Sequence, residues 1–587
     1  VTDIAQRQPF NGINAVTGEY GLTLSAEELV QRVFGNADNE KMRRQQAEFA
    51  TVAKAAERVV SRNVRQDIDG TDLAQAGWGI IFAAVDPQWQ AIAEALAPLL
   101  TLRQSQAGAL FRCFTGVDAY RPAETKSDFL RRFQISAGAV DPQKGLPYYL
   151  LLIGTPELIP FAFQYQLDVQ FAVGRLDFAT VGEYANYARA VVAAETGQQQ
   201  LARSATFFSV VNQDDRATQN SDNYLVQPLA NALAATPGWT LTTQRGASAN
   251  RAQLEALLGG AQKPALLFTA SHGIEFPAGD PQQERRQGAL LCSDWPGPKQ
   301  WHGALSEEFY FAGEHLMSSA DPGGLIAFHF ACFGGGTPQF YDFEQPTALV
   351  PQSSDERRRI AARPFVANLP KRLLGHPKGG ALAVVSHVDR AWSYSYRLGE
   401  TAQTAVFEDT LTRLFRGQPL GWALEYFNTR YAELAADLSS ELTQLHWQRD
   451  RQPFELAARW TENHDARNYV VLGDPAVRVA VARDHALGMA QRPALIPLHS
   501  DGRPVTISPQ DWQQTPIVVR TALTTALQQV QQLSTQLDQA TTVAPVTPRP
   551  VLRDGGRSSG SQSGSATTRG GAMRAWSPPT DEHATDR

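Results

Sequence analysis

Short, nearly uninterrupted apolar runs recur over the first 480 or so residues, separated by stretches with helical spacing. They lie at 79–85, 109–114 and 148–154, then at 206–211, 265–270, 325–330 and 380–385, with a last one at 468–475. Runs of this length without polar alternation belong to strands buried on both faces, the mark of a parallel sheet covered by helices. Helical patterns fit between them, notably at 89–100, 221–235 and 364–374. Ser25-Ala26-Glu27-Glu28 forms a capping box at the head of a proline-free, Ala/Glu/Arg-rich stretch to residue 62, which predicts one or two helices. The pattern predicts an α/β protein of two doubly wound units with mostly parallel sheets. The first spans 76–200 and the second 201–484, after a helical segment at 1–75. Beyond 485 a Gln-rich helix is expected at 511–540. From 541 onward Pro, Ser, Gly, Thr and Arg dominate, and such a tail cannot bury enough apolar surface to offset its chain entropy, so disorder is expected.

Composition narrows the functional classes. In 587 residues the net charge is -6, and no Lys/Arg run suggests nucleic acid or a membrane surface as partner. Three cysteines, Cys113, Cys292 and Cys332, make neither a disulfide framework nor a CxxC pair. His302, His315, His376 and His464 have no metal-ligand spacing, so no metal or other cofactor is expected. No apolar run has membrane-spanning length and the first ten residues have no signal-peptide core, which makes a cytoplasmic location the expectation.

Two strand ends carry the chemistry. One runs into Ser271-His272-Gly273, the other into Ala331-Cys332-Phe333-Gly334-Gly335-Gly336. In a parallel sheet, residues leaving the carboxyl ends of adjacent strands face one crevice. A free thiol is only a few per cent thiolate at neutral pH, and an imidazole alongside can take its proton and later protonate a leaving amine. The amides of Gly273 and Cys332 are the expected oxyanion donors, and the glycine triplet the turn that exposes the sulfur. Taken singly, such a His reads as a turn residue and such a Cys as core; their joint placement favours catalysis. A phosphate-cradling turn at Gly334–Gly336 is a competing reading, although no GxxxxGK[ST] pattern occurs.

The order of an apolar strand ending in S-H-G, then one ending in A-C-x-G, resembles the caspase-fold cysteine peptidases, above all the gingipain and CHAT-domain branch. Residues 149–160 (YLLLIGTPELIP), Val173-Gly174-Arg175-Leu176 and 471–475 (VLGDP) are similar to phrases of that branch. The resemblance covers about residues 77–480. It implies two caspase-like units of which only the second is catalytic. It further implies a cysteine endopeptidase that forms a thioester through Cys332, with His272 as base, acting on a polypeptide and open to a protein regulator. Phe330-Ala331-Cys332-Phe333-Gly334 stands where caspases carry Q-A-C-R-G, which argues against caspase-type cleavage after Asp.

By the same resemblance, the loops after the first strand of the catalytic unit and after the strand following Cys332 select the substrate. Asp214, Asp215 and Arg216 lie in the first, Asp389 and Trp392 in the second. Three acids against one base lean the P1 preference toward Arg or Lys. Glu275 is a candidate to orient His272, and His387 an alternative base. His329 is expected to be a core histidine, Cys113 a buried inert thiol, and Cys292 a residue of a hairpin strand. The helical N-terminus and the tail are places for partner recognition, autoinhibition or processing. A non-catalytic caspase-like scaffold is the alternative function.

Overall fold

In the computed structural model, the described residues are 8–9, 12–34, 64–65, 67–135, 138–340, 359–398, 401–445, 453–482, 496–500 and 503–507. The expected helix at 511–540, the tail beyond it and residues 35–62 of the helical stretch at 25–62 lie outside them. The chain divides into two units, 1–483 and 484–587. In the second, Ile496–Ser500 pairs antiparallel with Arg503–Ile507.

The first unit is a mixed α/β structure built on one sheet of ten strands. In chain order these are β1 (Trp78–Phe82), β2 (Phe111–Phe114), β3 (Tyr149–Ile153), β4 (Ala172–Leu176), β5 (Ser204–Ser209), β6 (Thr240–Arg245), β7 (Leu266–Ala270), β8 (Ile326–Phe330), β9 (Ala383–His387) and β10 (Tyr469–Gly473). Their order across the sheet is β2-β1-β3-β4-β10-β9-β8-β7-β5-β6. All five residues are buried in each of β1, β3, β4, β7, β8, β9 and β10. Because successive side chains point to opposite faces, both faces of the sheet are covered, as the apolar runs require.

The two halves share one sheet and one apolar core, which extends from Ile80 and Leu151 to Phe268 and Phe328. The last strand makes the join. β10 runs parallel to β4 and antiparallel to β9. Every other neighbouring pair is parallel, so the strands of the first half run opposite to those of the second. The carboxyl ends of β1 to β4 therefore lie at the sheet edge away from the ends of β7 and β8.

At the join, a Cβ on Gly174 would lie 2.1 Å from the Gly473 carbonyl oxygen, so only glycine fits there. Buried Arg175 donates to the carbonyls of Gly154 and Ile159 and to Gln164. Asp474 accepts from the Trp78 indole at 2.9 Å and from Arg103 at 2.7 Å. The three phrases 149–160, 173–176 and 471–475 thus meet where the half-sheets join.

The capping box at Ser25 forms as expected. The Ser25 N–H donates to Glu28, the Glu28 N–H donates to Ser25 Oγ, and the helix Ala26–Phe34 follows. Leu24, Leu29 and Val33 pack with Tyr431, Leu438 and Trp460, while Ile13 and Ala15 pack with Ile274, Phe276, Leu291 and Trp295. Full burial of a side chain such as Ile13 or Leu24 stabilises by about 1.5–3 kcal/mol, which anchors the N-terminal segment on the second half. Cys113 departs from expectation: it is exposed, because β2 is the outermost strand of its side of the sheet.

Candidate active site

β7 and β8 are parallel neighbours in which Ala270 pairs with Phe330. His272 and Cys332 each lie two residues further on, side by side at the carboxyl edge. Gly273 packs directly on the cysteine's backbone: a Cβ there would stand 1.8 Å from the Cys332 carbonyl oxygen. Glycine is required by this contact. Among the described residues, neither the Gly273 nor the Cys332 N–H is hydrogen bonded to a protein acceptor. Two backbone donors beside the sulfur are thus unengaged.

The His272 ring is held at both nitrogens. Nδ1 accepts the Gly12 N–H at 3.0 Å, and Nε2 lies 2.6 Å from Asp215 Oδ2. A ring nitrogen that accepts carries no proton, so neutral His272 is protonated on Nε2 and donates to Asp215. Asp215 caps the helix Arg216–Ser221 and accepts the Tyr20 hydroxyl at 2.6 Å. Burial alone would raise its carboxyl, but the His272 ring and hydrogen bonds from His272, Tyr20 and Thr218 hold it below the usual carboxylate range. Burial, then Asp215, raises the Tyr20 hydroxyl well above the ordinary tyrosine value.

Cys332 Sγ accepts the Ala391 N–H at 3.3 Å. Burial pushes the thiol up to about 12, against the pull of the Arg390 guanidinium and the Ala391 amide. Arg390 is ion-paired with Glu275 at 2.7 Å and lies over the Phe333 ring. Phe333 and Asp389 both adopt left-handed backbone, at φ 58 and 69, and the Phe333 N–H donates to the Asp389 carbonyl at 2.6 Å. Such strain on non-glycine residues beside Cys332 is of the kind that functional sites hold. Cys332, His272 and Asp215 are each 0% exposed, and no hydrogen bond joins the thiol to the ring among the described residues.

Comparisons with known proteins give only distant likenesses. No protein-family model and no curated protein matches the chain. Among solved structures it is similar to one described as a protease, at 11% identity and TM-score 0.38, over 68% of this chain and 78% of that one. It is also similar to the complex of the RgpB pro- and mature domains of Porphyromonas gingivalis, at 11% identity and TM-score 0.36, over 69% and 80%. A third is the separase–securin complex of Saccharomyces cerevisiae, at 10% identity and TM-score 0.22, over 56% and 16%. All three TM-scores are below 0.5.

The residues expected to select substrate do not act as one group. Asp215 is spent on His272 and Tyr20. Asp214 faces Lys299 and Gln300, and Arg216 is exposed. Trp392 is buried in the apolar cluster with Leu24, Tyr431 and Trp460, where it serves packing. Asp389 remains beside Cys332, and its carboxylate accepts the Arg390 N–H. Glu275 does not orient His272, since Arg390 holds it.

The glycine triplet also differs from expectation. None of the three has positive φ, and Cys332 is buried rather than exposed. The glycines are needed for close approach: Gly334 to Ser386 and Gly336 to Phe161. His387 lies 3.1 Å from Asp465, a partner of its own. His329 is buried with Nδ1 at 2.8 Å from the Thr269 hydroxyl, and burial lowers its pKa to about 3, as befits a core histidine. Cys292 follows the strand Leu290–Leu291 and is buried. Gly12, Tyr20 and Arg390 carry no local sequence signal; Gly12 lies 260 positions from His272 and Tyr20 lies 195 from Asp215.

Among the described residues no group of three or more His, Cys, Asp or Glu side chains is arranged to hold a metal ion. Nor is any helix among them long and apolar enough to cross a membrane.

Proposed function

We propose that the chain is a cysteine peptidase of the caspase and gingipain kind, with Cys332 as nucleophile and His272 as base. The observation that carries this reading is the shared register of the two residues on adjacent parallel strands, together with a His272 tautomer that leaves Nδ1 as the basic nitrogen. In the reaction, Sγ attacks the scissile carbonyl carbon while its proton passes to Nδ1. The oxyanion is held by the Gly273 and Cys332 amides. Collapse expels the amine, which takes the proton from Nδ1, and leaves a thioester on Cys332. Water then attacks the thioester and gives a proton to Nδ1, and the acid leaves as the thiol is re-formed. Asp215 keeps the ring in the required tautomer and stabilises the imidazolium.

A basic P1 residue is the preference we propose, resting on Asp389 now that Asp215 is engaged elsewhere. A fluorogenic peptide library tests both parts. Measured on a chain whose site is open to peptide, hydrolysis should fall at least about 10³-fold in Cys332→Ala, and Arg or Lys should lead at P1. Activity that survives Cys332→Ala contradicts the peptidase reading. A preference for Asp overturns the P1 assignment and points to Arg390 instead. The closure of the site favours one second reading, a caspase-like scaffold in which Cys332 and His272 only pack.

A further inference from the structure

The groups just described are covered by the chain's own N-terminal segment. Gly12 stands between the two reactive residues. Its N–H occupies His272 Nδ1, and a Cβ on it would lie 3.5 Å from Cys332 Sγ and 3.2 Å from Arg390 Nη1. Its φ of +106 is a conformation that side-chain-bearing residues rarely adopt, so glycine suits both the space and the backbone. From Gly12 the chain runs on as Ile13–Asn14, parallel to Ile274–Glu275, the residues that follow His272-Gly273. The Ala15 N–H donates to the Glu275 carbonyl at 2.8 Å. The segment then turns back through Gly18, the Gly21 N–H donates to the Gly12 carbonyl at 2.9 Å, and Tyr20 reaches Asp215.

We infer that residues 12–21 are an internal inhibitor, a strand that takes the peptide-binding edge at Ile274–Glu275 and blocks His272 until it is displaced. The ring is oriented on its Nε2 side by Asp215, so Nδ1 is the nitrogen that must receive the thiol proton. It is also the one that Gly12 fills. An extended polypeptide recognised by a strand edge is held by main-chain hydrogen bonds, and those at the Gly273 and Glu275 carbonyls are taken by Ile13 and Ala15. Ile13 is fully buried in its apolar cluster, which gives the segment a hold independent of the reactive residues. The identification of the blocked edge as a substrate edge rests on the peptidase reading; the blocking of Cys332 and His272 does not.

The test is alkylation of Cys332 by iodoacetamide in the full-length chain carrying Cys113→Ser, read by intact mass and peptide mapping. Ile13→Asp places a charge in the apolar cluster. Gly21→Val independently drives a side chain toward Glu275, where even a Cβ would stand 2.1 Å from Oε2. Both variants are expected to raise the Cys332 rate at least tenfold while buried Cys292 stays unmodified. A synthetic peptide of residues 8–25, added in excess, should suppress the gain, and the same peptide with Gly12→Pro, which lacks the N–H, should not. Equal Cys332 rates in the parent chain and both variants overturn the inhibitor. Modification of Cys292 marks unfolding of that variant, and the decision then rests on the other variant and on whether the peptide slows hydrolysis. Peptide hydrolysis separates the two claims. Faster alkylation without hydrolysis leaves the inhibitor standing and removes the peptidase. Hydrolysis equally fast in the parent chain does the reverse.

Discussion

In the proposed mechanism His272 serves as base only while its proton sits on the nitrogen away from the sulfur, and the hydrogen bond to Asp215 keeps it there. The pair is 2.6 Å apart and fully buried, so the carboxylate acts in a low-dielectric setting where a matched charge counts for more than in water. In the Ile13→Asp chain, Asp215→Asn should lower hydrolysis by about 10²–10⁴-fold with KM little changed, because the amide cannot balance an imidazolium. Steady-state kinetics on the variant checks this, and an effect confined to KM would assign Asp215 to substrate binding. The thiol supplies a pH test. Burial raises Cys332, so between the ordinary thiol value and about 12 its folded form stays protonated. Alkylation of the parent chain should therefore keep rising with pH, about tenfold per unit up to roughly pH 10, without levelling. A plateau near neutral pH would mean a preformed thiolate and contradict the covered site.

At the scale of elements, the apolar runs mark eight of the ten strands of the sheet: seven are covered on both faces, and the eighth, Phe111–Phe114, is the half-buried outermost strand on its side. Thr240–Arg245 was not legible: it is an edge strand of mostly exposed polar residues, with no run to betray it. Ala172–Leu176 was noticed only for its Gly-Arg-Leu phrase, since a buried arginine breaks the apolar pattern; Arg175 is accommodated because backbone carbonyls and Gln164 take its protons. His272 and Cys332 were readable because each directly follows a clear strand. The loop that holds Asp215 is legible from the strand it follows, but the residue's engagement with His272 and Tyr20 is not. Its partner is fixed by the third dimension, as β5 and β7 are neighbours in space but 57 positions apart at these residues. The role of Gly12 and Tyr20 had no local trace at all, because a covering strand is recognised by what it covers.

For the whole molecule, the phrases at 149–160, 173–176 and 471–475 mark the seam between the half-sheets. Asp474 is fully buried there with Arg103, and its carboxylate also accepts the Trp78 indole N–H and the Ala476 N–H. Removing one charge of a buried pair leaves the other poorly compensated, at a cost of about 3–5 kcal/mol. Arg103 retains Glu195 at 3.0 Å, which places Asp474→Asn near the lower end, about 3 kcal/mol. Urea denaturation should show that loss as a shift of the midpoint with an unchanged slope. A loss under about 0.5 kcal/mol would mean that the seam does not depend on this pair.

Cooperation of Cys332 with His272 is the claim on which the rest depends. Its most direct measurement is the rate at which an electrophilic peptide labels Cys332 in the Ile13→Asp chain, with Cys113→Ser, against the same chain carrying His272→Ala. The account predicts a single adduct on Cys332 and a rate at least about 10²-fold lower without the imidazole. Equal labelling with and without His272 would contradict it.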